Sequence, residues 1–391
     1  MKRIREQLGG VVAGLAMVAA CAADAQISID VTVTPGTAKP IWVSLEGLTG
    51  EAAEALRFDL YVQGFNFTNA EAAQYNIVGS NEGNLLARAT DRFTRSQLLS
   101  KAYSGASLRR QVHAFADDFV QALGRKPIAQ SKIAFKGEAG RGSEIFISDF
   151  DGRNSQAVTR DNSLVYYPSW VPGRLALYYG SYKLNRAAIF YHDLATGIRQ
   201  SFARYGGSNL SPAVSPDGRR VAMILSKDGW TDLYVCDSDG GNLKRLTTSR
   251  QDESSPSWSP DGQFICFAGK IGERRSLCKI PAGGGSVQTI TTGGVPSPTE
   301  PDWSPDGKWI AFTAQFRNFQ ICIVPASGGT ATMLVEGEDP SWSPNSRTLA
   351  YCRRQGGGDY VLSLLDVPTK QYKDVSRISG SNSQSQPSWA R

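Results

Sequence analysis

Residues 255–262 read Ser255-Pro256-Ser257-Trp258-Ser259-Pro260-Asp261-Gly262, and this octapeptide is the clearest copy of a repeated unit. Within this octapeptide, Pro256 is followed two residues later by a large apolar residue, Trp258. The same arrangement recurs between residues 168 and 389. Its six prolines, spaced by 39 to 47 residues, are Pro168, Pro212, Pro256, Pro301, Pro340 and Pro387. A period of about 40–45 residues with strand-like content is typical of β-propeller blades, each a four-stranded antiparallel sheet.

The chemistry of each unit predicts where its strands and turns lie. Pro-x-Trp opens the first strand, and its tryptophan is expected to contact the adjacent blade. Ser-Pro-Asp-Gly, at 215–218, 259–262 and 304–307, predicts a tight turn, because proline presets φ and glycine adopts a positive φ. An apolar strand such as Ile265-Cys266-Phe267 follows. The tight turns should all lie on one face of the ring and the longer loops on the other.

The two ends of the repeat array predict how the ring closes. The first unit, near Ser131, lacks a Pro-x-Trp strand, whereas Pro387-Ser388-Trp389 stands alone at the end of the sequence. We therefore expect the C-terminal strand to complete the blade built from residues 132–160, leaving no open edge. The predicted fold is an α/β N-terminal domain, residues 26–126, followed by an all-β six-bladed propeller, residues 127–391, closed by the C-terminal strand.

The segment before the propeller has mixed α/β character. Strands are expected at 27–33, 41–43, 75–78 and 85–89, and helices at 51–62 and 107–123, the second ending at Gly124. His113 lies beside the apolar stripe of the second helix. With no other histidine or cysteine near it in sequence, it is interpreted as a hydrogen-bonded structural residue.

The first 25 residues have the pattern of a signal peptide. Lys2, Arg3 and Arg5 precede an apolar and glycine run too short to span a bilayer, which predicts export of the chain. Cleavage after Ala25 competes with a lipoprotein-like box that would acylate Cys21, and the first is favoured.

Composition argues against most catalytic and metal-binding classes. The 391 residues include only two histidines, so multi-histidine metal sites are excluded, and no cofactor or metal is expected. No Gly-x-Ser-x-Gly pentapeptide is present, which argues against a peptidase, and the channel offers no histidine for a lactonase- or lyase-type site. The Asp-x-Asp-Gly segments at 149–152 and 237–240 are interpreted as turns rather than calcium loops.

The net charge of +6 comes from scattered basic residues, so no nucleic-acid surface is predicted. The five cysteines after residue 25 are expected to be free core thiols.

Four features together make the chain resemble the TolB family of the Tol-Pal system. They are the export signal, the short α/β domain, a helix carrying Arg109, His113, Asp118 and Gly124, and the repeats ending in a bare Pro-Ser-Trp. The resemblance implies a non-enzymatic periplasmic adaptor that supports outer-membrane integrity and cell division. It would bind a Pal-like peptidoglycan-associated lipoprotein and a TolA-like inner-membrane protein.

The resemblance also implies positions for both partner sites. The Pal-type site falls on loops just before Pro-x-Trp, at Ser208, Ser211, Ser254 and Ser255. The TolA-type site falls on the mature N-terminal segment, which is also interpretable as a plain strand: Ile27, Ser28, Ile29, Asp30, Val31, Thr32, Val33 and Thr34. Ser208 stands where the family often has histidine. An exported propeller that binds another protein or a glycan is the alternative, with the same fold and binding face.

Overall fold

The computed structural model describes residues 35–140 and 142–391. The predicted signal peptide at 1–25 and the predicted strand and partner segment at 27–34 lie outside these residues. No helix in the described part of the chain is long and apolar enough to cross a membrane.

The α/β region consists of one five-stranded sheet and two helices. In chain order its elements are β1 (Ile41–Glu46), α1 (Gly50–Tyr61), β2 (Phe65–Phe67), β3 (Tyr75–Ser80), β4 (Leu85–Asp91), β5 (Gln97–Tyr103) and α2 (Leu108–Ala122). The strand order is β2-β1-β3-β4-β5, with β1 parallel to both of its neighbours. Ser107 caps α2, its side chain accepting a bond from the Arg110 amide, and Gly124 follows the helix with a positive φ.

Two strands of this region escaped the sequence analysis. β2 has only three residues, too few for a periodic signal, and β5 is an edge strand whose exposure does not alternate. The predicted strands at 41–43, 75–78 and 85–89 and both predicted helices are confirmed within one or two residues, apart from a longer β1.

The remaining strands form six four-stranded antiparallel sheets, the blades of a propeller. Blade 2 is β9–β12, blade 3 β13–β16, blade 4 β17–β20, blade 5 β21–β24 and blade 6 β25–β28, while blade 1 is β29 with β6–β8. The bounds are β6 Lys132–Ala139, β7 Gly142–Asp149, β8 Gln156–Ala157, β9 Val165–Trp170, β10 Ala176–Ser181, β11 Ala188–Asp193, β12 Arg199–Ala203, β13 Asn209–Val214, β14 Arg220–Leu225, β15 Asp232–Asp237, β16 Lys244–Arg245, β17 Ser254–Trp258, β18 Phe264–Ile271, β19 Arg274–Pro281, β20 Gln288–Ile290, β21 Pro298–Trp303, β22 Trp309–Gln315, β23 Phe319–Pro325, β24 Thr332–Glu336, β25 Glu338–Trp342, β26 Thr348–Arg354, β27 Tyr360–Asp366, β28 Gln371–Asp374 and β29 Gln384–Trp389.

The predicted closure of the ring is confirmed. β29 pairs antiparallel with β6, so that Trp389 faces Ile133 and the last strand becomes the innermost strand of blade 1. The ring therefore has no unpaired junction between its first and last repeats, as expected of a closed propeller.

The tryptophans of the repeat lie between blades, as predicted. Trp258 packs against Ala222 and Ile224 of blade 3, and its indole donates to the carbonyl of Ala213 at 2.9 Å. Trp170 donates in the same way to Ser388, again at 2.9 Å. Each of these tryptophan side chains therefore adds a large buried apolar surface and a hydrogen-bonded indole N–H to the contact between two blades.

The two faces of the ring differ as the repeat predicted. We call the face at which the first strand of each blade begins the top, and the face with the Ser-Pro-Asp-Gly turns the bottom. The α/β region packs on the bottom of blades 6 and 1. Thr348 donates to the carbonyl of Val62, Gln371 donates to that of Phe65, and Arg109 pairs with Asp151 in the turn after β7. Within the described residues, the α/β region does not cover the top face.

Candidate functional site

The central channel of the propeller runs from the upper ends of the first strands to the prolines of the bottom turns. It encloses a cavity of about 460 Å³, lined by the first strands of the blades. Two rings of side chains face it: the residues directly before the Pro-x-Trp prolines at the top, and the x residues below. The upper ring consists of Tyr167, Ser211, Ser255, Glu300, Asp339 and Gln386.

All six residues of the upper ring share one unusual backbone conformation. Their φ angles lie between 47° and 56°, in the left-handed region that side-chain-bearing residues seldom adopt. In every blade the pairing with the second strand shifts register at this point, as in a β-bulge. Backbone strain of this kind is concentrated at functional sites and persists only where surrounding structure holds it.

Half of the upper ring is joined by hydrogen bonds from blade to blade. The amide of Asp339 donates to Oε2 of Glu300 at 3.2 Å, and the amide of Gln386 donates to Oδ2 of Asp339 at 2.9 Å. The amide of Tyr167 then donates to Oε1 of Gln386 at 2.9 Å. Burial, reinforced by the Glu300 carboxylate, raises the pKa of Asp339 well above its ordinary value.

In the lower ring, too, side-chain oxygens accept hydrogen bonds from backbone amides of the next blade. The amide of Trp303 donates to the hydroxyl of Ser257, and the amide of Trp342 donates to Oδ2 of Asp302 at 2.7 Å. Arg391 lies at the bottom of the channel, where its guanidinium pairs with Asp302 and donates to the carbonyls of Trp342 and Trp303.

Charge is distributed unevenly around the mouth. A second cavity of about 560 Å³ adjoins the channel between blades 5, 6 and 1, and five of its lining residues are acidic, against one lysine: Glu138, Glu300, Glu338, Asp339, Asp359 and Lys136. The top loops of blades 3 and 4 carry both signs instead, since the exposed bases Lys227, Arg250, Lys270 and Arg274 lie among the exposed acids Asp228, Asp252 and Glu273. The acidic cavity is therefore the part of the mouth with one dominant sign of charge.

Exposed apolar side chains lie on the top face in blades 2 to 5, and we call this set the apolar rim. They come from the top loops and are all more than a third exposed: Leu164, Tyr182, Leu184, Trp230, Ile271, Phe316 and Phe319. Trp230, for example, is 47 % exposed. Scattered exposed apolar residues are ordinary, but a set that shares one face of the ring is typical of a protein-binding surface.

The four serines predicted as a partner site lie at this mouth in two different settings. Ser211 and Ser255 belong to the upper ring and line the cavity. Ser208 and Ser254 lie above it at the start of their blades: the Ser208 amide donates to Ser226, and the Ser254 hydroxyl accepts from Arg275 at 3.4 Å. The N-terminal partner segment falls outside the described residues.

Sequence reasoning missed the remainder of the upper ring and the apolar rim. Tyr167, Glu300, Asp339 and Gln386 occupy the same repeat position as Ser211 and Ser255, so aligning the repeats would have found them. The rim residues share no fixed repeat position, and only the folded top loops bring them together.

Within residues 35–140 and 142–391, no group of three or more His, Cys, Asp or Glu side chains is arranged so that it could hold a metal ion. The two Asp-x-Asp-Gly segments form tight turns. In the first, Asp151 accepts from the Arg153 amide and pairs with Arg109.

The comparisons with known proteins agree with this architecture. The family model PD40, the TolB beta propeller domain, matches residues 120–391. The Tol-Pal system protein TolB of Bordetella pertussis is 29 % identical over 385 residues, covering 89 % of this chain and 88 % of its own; the protein of the same name from Bordetella bronchiseptica is also 29 % identical, covering 89 % and 87 %.

Two solved structures share the fold. TolB from Acinetobacter baumannii superposes with a TM-score of 0.80 at 22 % identity, covering 91 % of this chain and 98 % of that one. A putative TolB from Agrobacterium tumefaciens gives a TM-score of 0.53 at 19 % identity, covering 63 % of this chain and 89 % of that one. With the family model matching well over half of its length and all six blades in place, the chain belongs to the TolB beta-propeller family.

Proposed function

We propose that the protein is a non-enzymatic periplasmic adaptor of a Tol-Pal system, and that its channel mouth binds a Pal-type lipoprotein. The observation that carries this proposal is the apolar rim around the open mouth, on the face that the α/β region leaves uncovered. Buried aromatic and aliphatic anchors supply most of the binding energy of protein interfaces. The relatives' designation as Tol-Pal system proteins supports the choice of partner.

The second contact in this proposal uses residues 27–34. An alternating segment of this kind pairs well with a sheet edge of a partner, which is the role proposed for a TolA-like inner-membrane protein. The signal-like first 25 residues support export and hence a periplasmic location. Binding at two separate places would connect the two partners, and hence the two membranes, in support of outer-membrane integrity and cell division.

The channel-mouth contact is tested by measuring binding of the chain from Gln26 onward to the soluble domain of the Pal-type lipoprotein of the same organism. The double variant Ser208→Arg/Ser254→Arg places two long cations at the mouth and is expected to weaken binding by about tenfold or more, through steric exclusion of the partner. Ile198→Arg is the matched control, because Ile198 is exposed in a bottom turn.

Each outcome assigns a different conclusion. Loss of binding in the double variant but not in Ile198→Arg supports the proposed site. Equal binding by all three proteins would move the interface elsewhere, and absence of binding by the parent would reject the lipoprotein and favour another protein or a glycan. Deleting residues 27–34 should abolish capture of the TolA-like protein and leave lipoprotein binding unchanged.

A further inference from the structure

One position of the repeat differs in blade 1 alone. Two residues after the large apolar residue of the first strand, the other five blades carry the proline of a bottom turn: Pro172, Pro216, Pro260, Pro305 and Pro344. Blade 1 carries Arg391 at this position. No turn can follow the first strand of blade 1, β29, because the second strand of that blade, β6, lies far earlier in the chain.

Ala390 nevertheless makes the hydrogen bond that the turn makes in other blades. Its amide donates to the carbonyl of Lys132 at 2.9 Å, just as the Ser259 amide donates to that of Phe264 in blade 4, also at 2.9 Å. In blade 4 the chain then continues through the turn, which fixes the end of the strand covalently. In blade 1 this end depends on noncovalent contacts, and strand ends that are not tied down fray.

The Arg391 side chain supplies such contacts to two other blades. Its Nε donates to the carbonyl of Trp342 in blade 6 at 3.1 Å, and its Nη1 donates to that of Trp303 in blade 5 at 3.3 Å. Its Nη2 pairs with Asp302, also in blade 5. A guanidinium is a planar fork of fixed N–H donors and can engage three acceptors at once, whereas an ammonium is a compact point charge.

Neighbouring blades hold the Asp302 carboxylate in position. Its Oδ2 accepts from the Trp342 amide at 2.7 Å, and its Oδ1 accepts from the Ser257 hydroxyl of blade 4 at 3.1 Å. The Arg391 and Asp302 side chains are 32 % and 17 % exposed, so the pair is partly shielded from water. A carboxylate already fixed by two donors loses little conformational entropy on pairing, and charge-assisted hydrogen bonds are the strong ones.

We propose that Arg391 is a latch, which holds the last strand in the ring by fastening the lower end of β29 to blades 5 and 6. It takes the place of the turn that fixes this end of the first strand in the other five blades. The same strand carries Gln386 of the upper ring, whose amide donates to Asp339 and whose side chain accepts from the Tyr167 amide. The latch at the bottom of the channel therefore also keeps the upper ring complete, whatever partner binds there.

The test is native-state hydrogen exchange of the chain from Gln26 onward, read by mass spectrometry on peptides from β29 and from β13–β15 of blade 3. Arg391→Met keeps an apolar stem and removes all three contacts, so the β29 amides should exchange at least about tenfold faster than in the parent, with blade 3 unchanged. Unchanged exchange of β29 would overturn the latch. Equal acceleration in both blades would show a general loss of stability and overturn it as well.

Arg353→Met is the matched control. Arg353 pairs with Asp374 at 2.6 Å, and the two side chains are 29 % and 33 % exposed, but this pair joins β26 to β28 within blade 6. Its loss should leave the exchange of β29 as in the parent. If Arg353→Met accelerated β29 as much as Arg391→Met, the effect would not be specific to the guanidinium at the strand end, which would contradict the latch.

Two further variants separate charge from geometry. Arg391→Lys keeps the positive charge but not the fork, so β29 should exchange faster than in the parent; exchange as slow as in the parent would overturn the role of the two carbonyl bonds. Asp302→Asn keeps an oxygen for the Trp342 amide and removes the negative charge, so it should also accelerate β29. Combined with Arg391→Met, it should give less than the product of the two single effects, and a full product would exclude their pairing as part of the latch.

Discussion

Nε2 of His113, on α2, lies 3.4 Å from Oδ2 of Asp151, in the turn that follows β7 of blade 1. Nδ1 of the same imidazole lies 2.6 Å from Oδ2 of Asp59 on α1, and all three side chains are buried. The Arg109 guanidinium joins Asp151 from the other side. Two carboxylates and two cations thus balance in charge at the junction between the α/β region and the propeller, which confirms the interpretation of His113 as a hydrogen-bonded structural residue.

Removing the imidazole should destabilise the protein strongly. In His113→Leu the Asp59 carboxylate loses the only hydrogen-bond partner it has among the described residues, and an uncompensated buried charge costs about 3–5 kcal/mol. Lys101→Leu is the control, because the Lys101–Asp118 pair is half exposed and such pairs contribute about 0–1 kcal/mol. Chemical denaturation measures both, and equal destabilisation by the two changes would contradict the prediction.

The same network should make stability fall in alkali. The two carboxylates raise the pKa of His113 to about 10 despite the opposing effect of burial, so its contribution is present below its ordinary value of 6.5 and is lost as the pH rises through about 10. Burial raises the pKa of Asp59 to about 6, which adds a loss in the same direction between 3.8 and 6.

The Asp151 carboxylate makes stability depend on pH in the opposite direction, and it does so in a more acidic pH range. Hydrogen bonds and the neighbouring cations lower its pKa to about 2 against the effect of burial, so its contribution is present above 3.8 and is lost as the pH falls through about 2. Between pH 7 and pH 10, the Tm of the parent should therefore decline more steeply than that of His113→Leu. Parallel curves over this interval would exclude the network as the cause.

The closing strand should be essential to the ring. Trp389 is 2 % exposed and its indole donates to the Ser131 hydroxyl at 2.7 Å, so Trp389→Ala should cost about 3–5 kcal/mol. Deleting residues 386–391 should lower Tm by many degrees. Trp230→Ala, at the exposed rim, is the matched control and should change stability by less than about 0.5 kcal/mol. An unchanged Tm after the deletion would refute closure as a source of stability.

Gly180 should not tolerate a side chain. A methyl group there would overlap the ring of Tyr166, which packs directly on the glycine within blade 2. Overpacking of this kind costs about 1–3 kcal/mol, so Gly180→Ala should lower Tm by several degrees. Gly206→Ala is the control, since no atom lies within 4 Å of the added carbon and its φ is not in the left-handed range. Identical Tm values for the two variants would contradict this account.

The cysteines of the described residues should be inert in the native state. All five are buried and free, and burial raises the pKa of Cys236 and Cys278 to about 12 and that of Cys322 to about 11. Native protein from Gln26 onward should therefore resist N-ethylmaleimide, while the unfolded chain takes up five equivalents. Rapid modification of any native cysteine, read by mass spectrometry, would be the contrary result.

Local chemistry made the propeller predictable. The segment with a proline followed two residues later by a large apolar residue occurs six times, five of them as Pro-x-Trp, and Ser-Pro-Asp-Gly turns follow three of them. Each of these segments specifies its own strand or turn from residues a few positions apart. The missing first strand and the extra last one predicted the closure for the same reason: a blade with three strands exposes an edge that the unpaired strand can cover. Ser211 and Ser255 were predicted as partner-site residues by the resemblance to the TolB family and not by the periodicity itself.

Contacts between distant residues decided the rest. His113 meets Asp59 across 54 positions of sequence and Asp151 from a different structural region, and no periodicity relates such groups. The apolar rim comes from loops of different length, and the unjoined half of the upper ring depends on which side chains are long enough to reach the next blade. Repeats encode the backbone of each blade through short-range propensities. The His113 network, the apolar rim and the hydrogen bonds of the upper ring arise only when the blades and the α/β region pack together.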